Sequence, residues 1–244
     1  MRSLSVALLC AAAAFPAPLE ISRPARAWEF LDATSPQAAI FGQENGIVEA
    51  YVYPLKIVKD LKLRFHIDGR SIPAESIARR IVTRPASSTV IYSSDDFEVR
   101  EEFVAPVNQP GLLIHLQATA YHPLRIEVEF TPDFQLMWPA SIGAGYAEWN
   151  GRQKAFTFGA DGQPYAAVLG SPDAALSARA YATNYSQASA NSFSLGTVTG
   201  SAERWIAIAA SAKSSQAAFE SWRRLLAHSP KPCWPDSNSS ARRP

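Results

Sequence analysis

Gly42–Gly69, GQENGIVEAYVYPLKIVKDLKLRFHIDG, holds a strand, a proline break, a second strand and a tight turn in one short stretch. Ile47–Tyr53 is dense in β-branched and aromatic side chains, which suit a pleated, half-buried surface. Pro54 ends or bulges that strand, because its nitrogen carries no hydrogen for a ladder. From Leu61 the alternation is strict. Leu61, Leu63, Phe65 and Ile67 turn one way, and Lys62, Arg64, His66 and Asp68 the other. Period two over eight residues predicts a strand with one face in a core. Asp68-Gly69 then reads as a hairpin turn, since glycine accepts the positive φ that such turns need.

The same pattern runs outward from this stretch. Ala38–Phe41 reads as a strand before it; Ile77–Thr83, Thr89–Tyr92 and Phe97–Val104 follow, with a break at Arg84-Pro85. Leu112–Thr119 and Leu124–Phe130 read as two strands parted by Tyr121-His122-Pro123. Glu148-Trp149-Asn150-Gly151 reads as a hairpin tip before Arg152–Phe158, and Asp161-Gly162 as a turn before Tyr165–Leu169. Weaker strands fall at Leu176–Ala182 and Ser192–Val198, and Trp205–Ala210 is a last buried one. Strands at this spacing with no helix between them predict an antiparallel sandwich. Pro outnumbers Gly, 18 to 12, which also favours turn-rich strands over long helices. One helix closes the pattern, capped by Ser214 or Ser215 and carrying Phe219, Trp222, Leu225 and Leu226 on one face. The expected fold class is therefore all-β, a large antiparallel β-sandwich with one C-terminal α-helix.

Residues 1–27 read as an export signal. Arg2 supplies a positive start, Leu4–Phe15 is an apolar run too short to span a bilayer, and Ala25-Arg26-Ala27 offers small-x-small cleavage before Trp28. The run from Pro16 to Pro24 is long for a cleavage region, so the cut could also fall earlier; an uncleaved anchor is the alternative. The expected division is a leader at 1–27, a sandwich at 28–212, a linker-type helix at 213–228 and a disordered Pro/Ser-rich tail at 229–244. Losing the leader removes Arg2, Arg23 and Arg26 with Glu20, and the formal charge moves from +1 to −1. Neither value suggests nucleic acid or an anionic membrane as partner. Cys10 leaves with the leader, so Cys233 has no internal disulfide partner and the fold must hold by its core. The expected location is periplasmic or extracellular.

Glycoside hydrolysis commonly uses two carboxylates across one bond. Asp95 with Asp96, Glu101 with Glu102, and Glu127 with Glu129 are the available pairs. Neighbours on a strand face opposite ways, so Glu101 and Glu102 do not share a site. Glu127 and Glu129 share a face with Arg125, which reads as a solvated strand surface. His66, His115, His122 and His228 show no metal-ligand spacing, and no nucleophile elbow, P-loop or dinucleotide glycine motif is present. No catalytic residue, metal or cofactor is assigned. Sugars stack on exposed rings, which makes Trp149, Trp138 and Tyr146 the candidate carbohydrate contacts, with Trp149 at its hairpin tip the first choice. Asn184-Tyr185-Ser186 and Asn238-Ser239-Ser240 match the N-glycosylation pattern.

Gly46-Ile47-Val48-Glu49, then Tyr51, Tyr53-Pro54-Leu55, Asp60-Leu61 and Asp68-Gly69, resembles the N-terminal domain of bacterial glucoamylases and of the related glycogen-debranching, amylo-α-1,6-glucosidase-like proteins. The helix Phe219–Leu226 is similar to the linker helix of that family. The resemblance implies a β-supersandwich that precedes an α/α barrel carrying the catalytic carboxylates, so no catalytic position carries over to this chain. It implies an α-glucan or oligosaccharide as ligand and the barrel as partner. The switch to a Pro/Ser/Arg-rich run at Ser229 is what a truncated or frameshifted reading frame would produce, and a genuine short protein with a floppy tail is the alternative. The expected function is a non-catalytic N-terminal sandwich domain, inactive alone, with a barrel-docking apolar patch on the Phe219/Trp222/Leu226 face. A free-standing carbohydrate-binding module is the alternative, and a sandwich hydrolase using Glu127 and Glu129 is a third reading.

Overall fold

The computed structural model describes residues 19–140, 145–179 and 190–227. Most of the expected leader, both glycosylation patterns and the 229–244 tail lie outside the described residues. The first strands are Ile21–Pro24 (β1), Phe30–Thr34 (β2), Ala38–Gln43 (β3), Val48–Val52 (β4), Leu55–Ile67 (β5) and Arg70–Pro73 (β6). After a 3₁₀ turn come Ala78–Arg84 (β7), Ser87–Ser93 (β8), Phe97–Val104 (β9) and Gly111–Leu136 (β10). Gly145–Asn150 (β11), Ala155–Ala160 (β12), Ala166–Gly170 (β13), Ala175–Ala178 (β14) and Asn191–Ser211 (β15) complete the sheet, and Ser215–Ala227 (α1) is the helix.

β10 and β15 hold the architecture together. They pair antiparallel along their length, from Gly111↔Ala209 to Phe130↔Asn191, with register shifts between Ala120 and Leu124 and between Arg125 and Glu127. The first part of β10 pairs β9 and the later part pairs β5. One half of the sheet therefore runs β1-β7-β8-β9-β10-β15-β13-β12-β11, and the other runs β2-β3-β4-β5-β10-β15, with β6 on β5 and β14 on β15. Their inner faces meet across one core, where Phe65 touches Tyr92 at 5.6 Å and Phe97 at 5.0 Å between ring centroids. The Ser88 hydroxyl donates to the Asp32 carbonyl at 2.7 Å and ties β8 to β2.

The alternation of Leu61–Ile67 appears as predicted, with all four apolar side chains buried. Asp68 and Gly69 both take positive φ, 48° and 73°, as a two-residue hairpin requires. Two breaks expected from the sequence are not breaks. Tyr121-His122-Pro123 lies inside β10, where these three residues oppose one of β15; they bulge outward and are exposed, so Pro123 withholds no buried ladder bond. Ser192–Val198 and Trp205–Ala210 are parts of one strand, β15, which passes through Gly196 and Gly200 at positive φ. β2 was not expected, since only Leu31 and Ala33 mark its buried side.

The helix expectation needs one correction. Ser214 caps α1, its hydroxyl accepting from the Ala217 N–H at 3.2 Å. The apolar face then covers the sheet itself: Ala218, Trp222 and Leu225 pack on Leu113, Ala155, Ala166, Val168, Ala207 and Ala209. That face is not free to receive another domain. Trp222 also donates from Nε1 to the Ala207 carbonyl at 3.1 Å. Trp222→Ala removes both the ring and the bond, so chemical denaturation should show a loss of about 3–5 kcal/mol. Amides of α1 should lose hydrogen-exchange protection before those of β10.

Candidate functional site

The stretch Gly42–Gly69 builds one corner of the molecule. Tyr51 on β4 lies directly across the turn from Lys56 on β5, and Lys56 lies across from Gln135 on β10. Strand alternation sends their side chains to the outer face, while Val48, Ala50 and Val52 fill the core. Lys56 Nζ sits 2.9 Å from Glu49 and 2.8 Å from Asp133, and its ammonium lies 5.6 Å from the Tyr51 ring centroid. The Tyr51 hydroxyl donates to Glu49 at 2.5 Å, and Gln135 donates to Asp133 at 2.6 Å. Burial disfavours the Lys56 ammonium, but hydrogen bonds to Asp133 and Glu49 outweigh it and hold its pKa above the usual lysine value. Burial and the Glu49 carboxylate push the Tyr51 phenol up to about 12. The cluster sets one ammonium between two carboxylates and is fixed by these bonds, which suits orienting a polar ligand better than moving protons.

A row of rings leads away from it, half-buried at Phe41 and Tyr51 and open at Phe30. Phe30 stacks on Phe41 at 5.9 Å and Phe41 meets Tyr51 edge-on at 5.5 Å, giving an aromatic row across β2, β3 and β4. Phe30 is 66% exposed. At the end of β10 the Met137 N–H donates to the Pro54 carbonyl at 3.0 Å, so Trp138 follows directly beside the Tyr53-Pro54 turn. Both X-Pro bonds there, Tyr53-Pro54 and Trp138-Pro139, are cis.

Of the three rings singled out in the sequence, Trp138 is the most open, 87% exposed. Tyr146 is 42% exposed on β11, its ring lying against Gly159 of β12, where a Cβ would fall 2.3 Å from it. Trp149 does not stand out at its hairpin tip. It turns to the opposite face of β11 and packs half-buried against Phe156 at 5.2 Å and Phe193 at 6.3 Å. The parity of positions 146 and 149 explains the difference, since they face opposite sides of one strand. Lys56, Asp133 and Phe30 were missed. The missing signal was cross-strand register, which places Tyr51, Lys56 and Gln135 in one row.

The carboxylate pairs are held elsewhere. Glu101 faces the core, 1% exposed, and accepts from the buried Tyr92 hydroxyl at 2.6 Å. Burial pushes its pKa up to about 8. Glu102, on the opposite face, sits between Ser87 at 2.7 Å, Arg84 at 3.5 Å and His115 at 3.8 Å. The neighbouring His115, with Ser87 and Arg84, outweighs burial and keeps its pKa below the usual carboxylate range. His115 stacks flat on Trp205 at 4.0 Å. A shallow cleft beside it, about 250 Å³ with the solvent above it, is lined by Val82, Thr89, Ile91, Arg100, Glu102 and Gln117. Glu127 accepts from Ser192 at 2.7 Å and lies 2.8 Å from His66; Glu129 pairs with Arg64. Burial would raise the Glu127 pKa, but Ser192, His66 and Arg125 overcome it and lower the value. Asp96 pairs with Arg70 at 2.6 Å. Among the described residues no group of three or more His, Cys, Asp or Glu side chains is placed to hold a metal ion.

No protein-family model matches this sequence, and no curated protein matches it. Solved structures do. A bacterial glucoamylase complexed with acarbose superposes with a TM-score of 0.57 at 12% identity, over 83% of this chain and 35% of that one. This chain shares its fold with part of a glucoamylase. The described chain thus spans about a third of the enzyme's length, and the supersandwich implied by the resemblance is the architecture observed. A protein assigned as a kojibiose phosphorylase, from the human microbiome, matches at 0.45 and 9% identity over 85% of this chain and 28% of its own. One assigned as an aldose 1-epimerase from Escherichia coli K12 matches at 0.45 and 9% over 75% of this chain and 99% of its own.

Proposed function

We propose that this chain is the N-terminal sandwich domain of an exported α-glucan-acting glycoside hydrolase of the glucoamylase or glycogen-debranching type, and that it supplies no catalytic carboxylate itself. The observation that carries the reading is the fold shared with about a third of a bacterial glucoamylase. The carboxylate geometry agrees with it. Glu101 and Glu102 lie on opposite faces of β9, and Glu127 and Glu129 are each bound to a basic partner on β5. Its partner would be an α/α barrel, for which the row Phe30, Phe41 and Tyr51 offers apolar surface now that α1 is covered by its own sheet.

The purified chain should release no glucose from maltooligosaccharides or glycogen. Release that Glu127→Gln or Glu129→Gln abolishes would overturn the reading in favour of a sandwich hydrolase. A carbohydrate-binding module is the second reading, favoured by the single observation that Trp138 stands open beside the Lys56 cluster. Its mark would be retention on glycogen or starch that Trp138→Ala reduces at least tenfold. A tenfold loss corresponds to about 1.4 kcal/mol of binding free energy.

A further inference from the structure

The residues just before Trp28 make contacts that a removed leader would not need. β1 pairs with β7 from Ile21↔Thr83 to Pro24↔Arg80, and the Ala25 N–H extends the ladder to the Arg79 carbonyl at 3.0 Å. The polar side chains of that ladder are answered. Glu20 pairs with Arg84 at 2.8 Å, and the Ser22 hydroxyl accepts from Arg80 at 2.7 Å. Arg23 makes a two-pronged bond to Glu44, one prong at 2.8 Å, and the Arg26 backbone N–H donates to the same carboxylate at 2.9 Å. Glu44 is 2% exposed. Among the described residues its carboxylate draws its hydrogen bonds from Arg23 and Arg26, so residues 20–26 both bury it and satisfy it.

Glu44 belongs to the loop between β3 and β4, inside Gly42–Gly69. Its own N–H donates to the Glu29 carbonyl at 3.0 Å, and two residues on, Gly46 passes directly beneath the Tyr92 hydroxyl. The β1 ladder is therefore clamped to the motif that carries the family resemblance.

We infer that Glu20–Ala27 belongs to the mature folded domain, and that a peptidase removing an export leader from this chain cuts N-terminal to Glu20. The inference rests on the export reading only for the existence of a cut. Processing of an unfolded chain is not blocked by later burial, so occlusion plays no part. What decides is the set of contacts the shorter product would lack. A chain beginning at Trp28 loses the β1 ladder, strands Arg80 and Arg84 from their β1 partners, and leaves Glu44 without its cation.

The test has two arms. The full-length reading frame is expressed in an exporting bacterial host, and the recovered protein is read by intact mass and N-terminal sequencing. A first residue at or before Glu20 is expected; a start at Trp28 overturns the inference. A mass that retains Met1 counts against export while leaving β1 in the protein. The second arm is independent of export: Arg23→Ala in the full chain should lower Tm by about 2–4 °C, because it leaves the buried Glu44 carboxylate without a cation that is itself one-third exposed. Adding Glu44→Gln to that variant should restore at least half of the shift, because no charge then remains to be paired. An unchanged Tm in Arg23→Ala overturns the structural role of the segment.

Discussion

Glu101→Gln should remove a fall in stability that the wild-type protein shows between about pH 5 and pH 8. The Glu101 carboxyl lies in the core with the Tyr92 hydroxyl 2.6 Å away, and burial raises its pKa from 4.5 to about 8. In the unfolded chain the group ionises near its ordinary value. Between those two values the folded state holds a proton that the unfolded state has released. Stability therefore falls as pH rises through this window, and the contribution is flat below about 4.5 and above about 8. The full drop is roughly 4–5 kcal/mol, taking about 1.4 kcal/mol per unit of pKa difference.

Glu102 and Glu127, whose pKa values are lowered, act in the opposite sense: their stabilisation is present above the ordinary carboxylate pKa and is lost as pH falls below it. The two effects occupy different windows, so urea unfolding at pH 5, 7 and 8.5 separates them. Glutamine keeps the size of the side chain and its bond to Tyr92 but cannot ionise. If wild type and Glu101→Gln change in parallel with pH, the buried carboxyl does not titrate and the account fails.

The placement of Glu101 was legible in the sequence. Phe97, Val99 and Phe103 alternate on one side of β9, and Glu101 takes the same parity. An acid on the apolar side of a regular strand is the sign of a buried carboxyl, whereas adjacency to Glu102 says only that the two diverge. Other features were hidden for physical reasons. Pro123 looks like a strand end because a ladder usually needs the N–H it lacks, and only a bulge opposite β15 lets β10 run through it. The apolar face of α1 demands a partner, but amphipathicity does not say whether that partner is the same chain. Here Gly111 lets the Leu225 side chain close onto β10, where a Cβ would sit 2.4 Å from Leu225 Cδ1. The Lys56 cluster joins residues almost eighty positions apart, Lys56 and Asp133, and period alone never pairs distant strands. The inward turn of Trp149, by contrast, follows from counting along β11 once its start is known.

Gly46→Ala should be among the most damaging single changes in this chain. Gly46 holds φ at +88°, a conformation that costs an alanine roughly 1–2 kcal/mol before any contact is considered. An added Cβ would also fall 1.8 Å from the Tyr92 hydroxyl oxygen and 2.9 Å from Cζ of the same ring. Tyr92 cannot swing aside, because it is fully buried and packs edge-on against Phe65. Moving it would break its bond to Glu101 and leave a buried carboxyl without that partner, which costs about 1–3 kcal/mol more. The combined loss of about 3–5 kcal/mol is large against the total stability of an ordinary domain. Combining Gly46→Ala with Tyr92→Phe tests the cause. Removing the hydroxyl relieves the closest contact, so the double variant should be less destabilised than the sum of the two single ones, by at least 1 kcal/mol, as coupled neighbours are. Strict additivity would mean that backbone strain alone acts at Gly46. The glycine that opens the family-like motif thus leaves room for Tyr92, and Tyr92 in turn donates to the Glu101 carboxyl inside the sandwich.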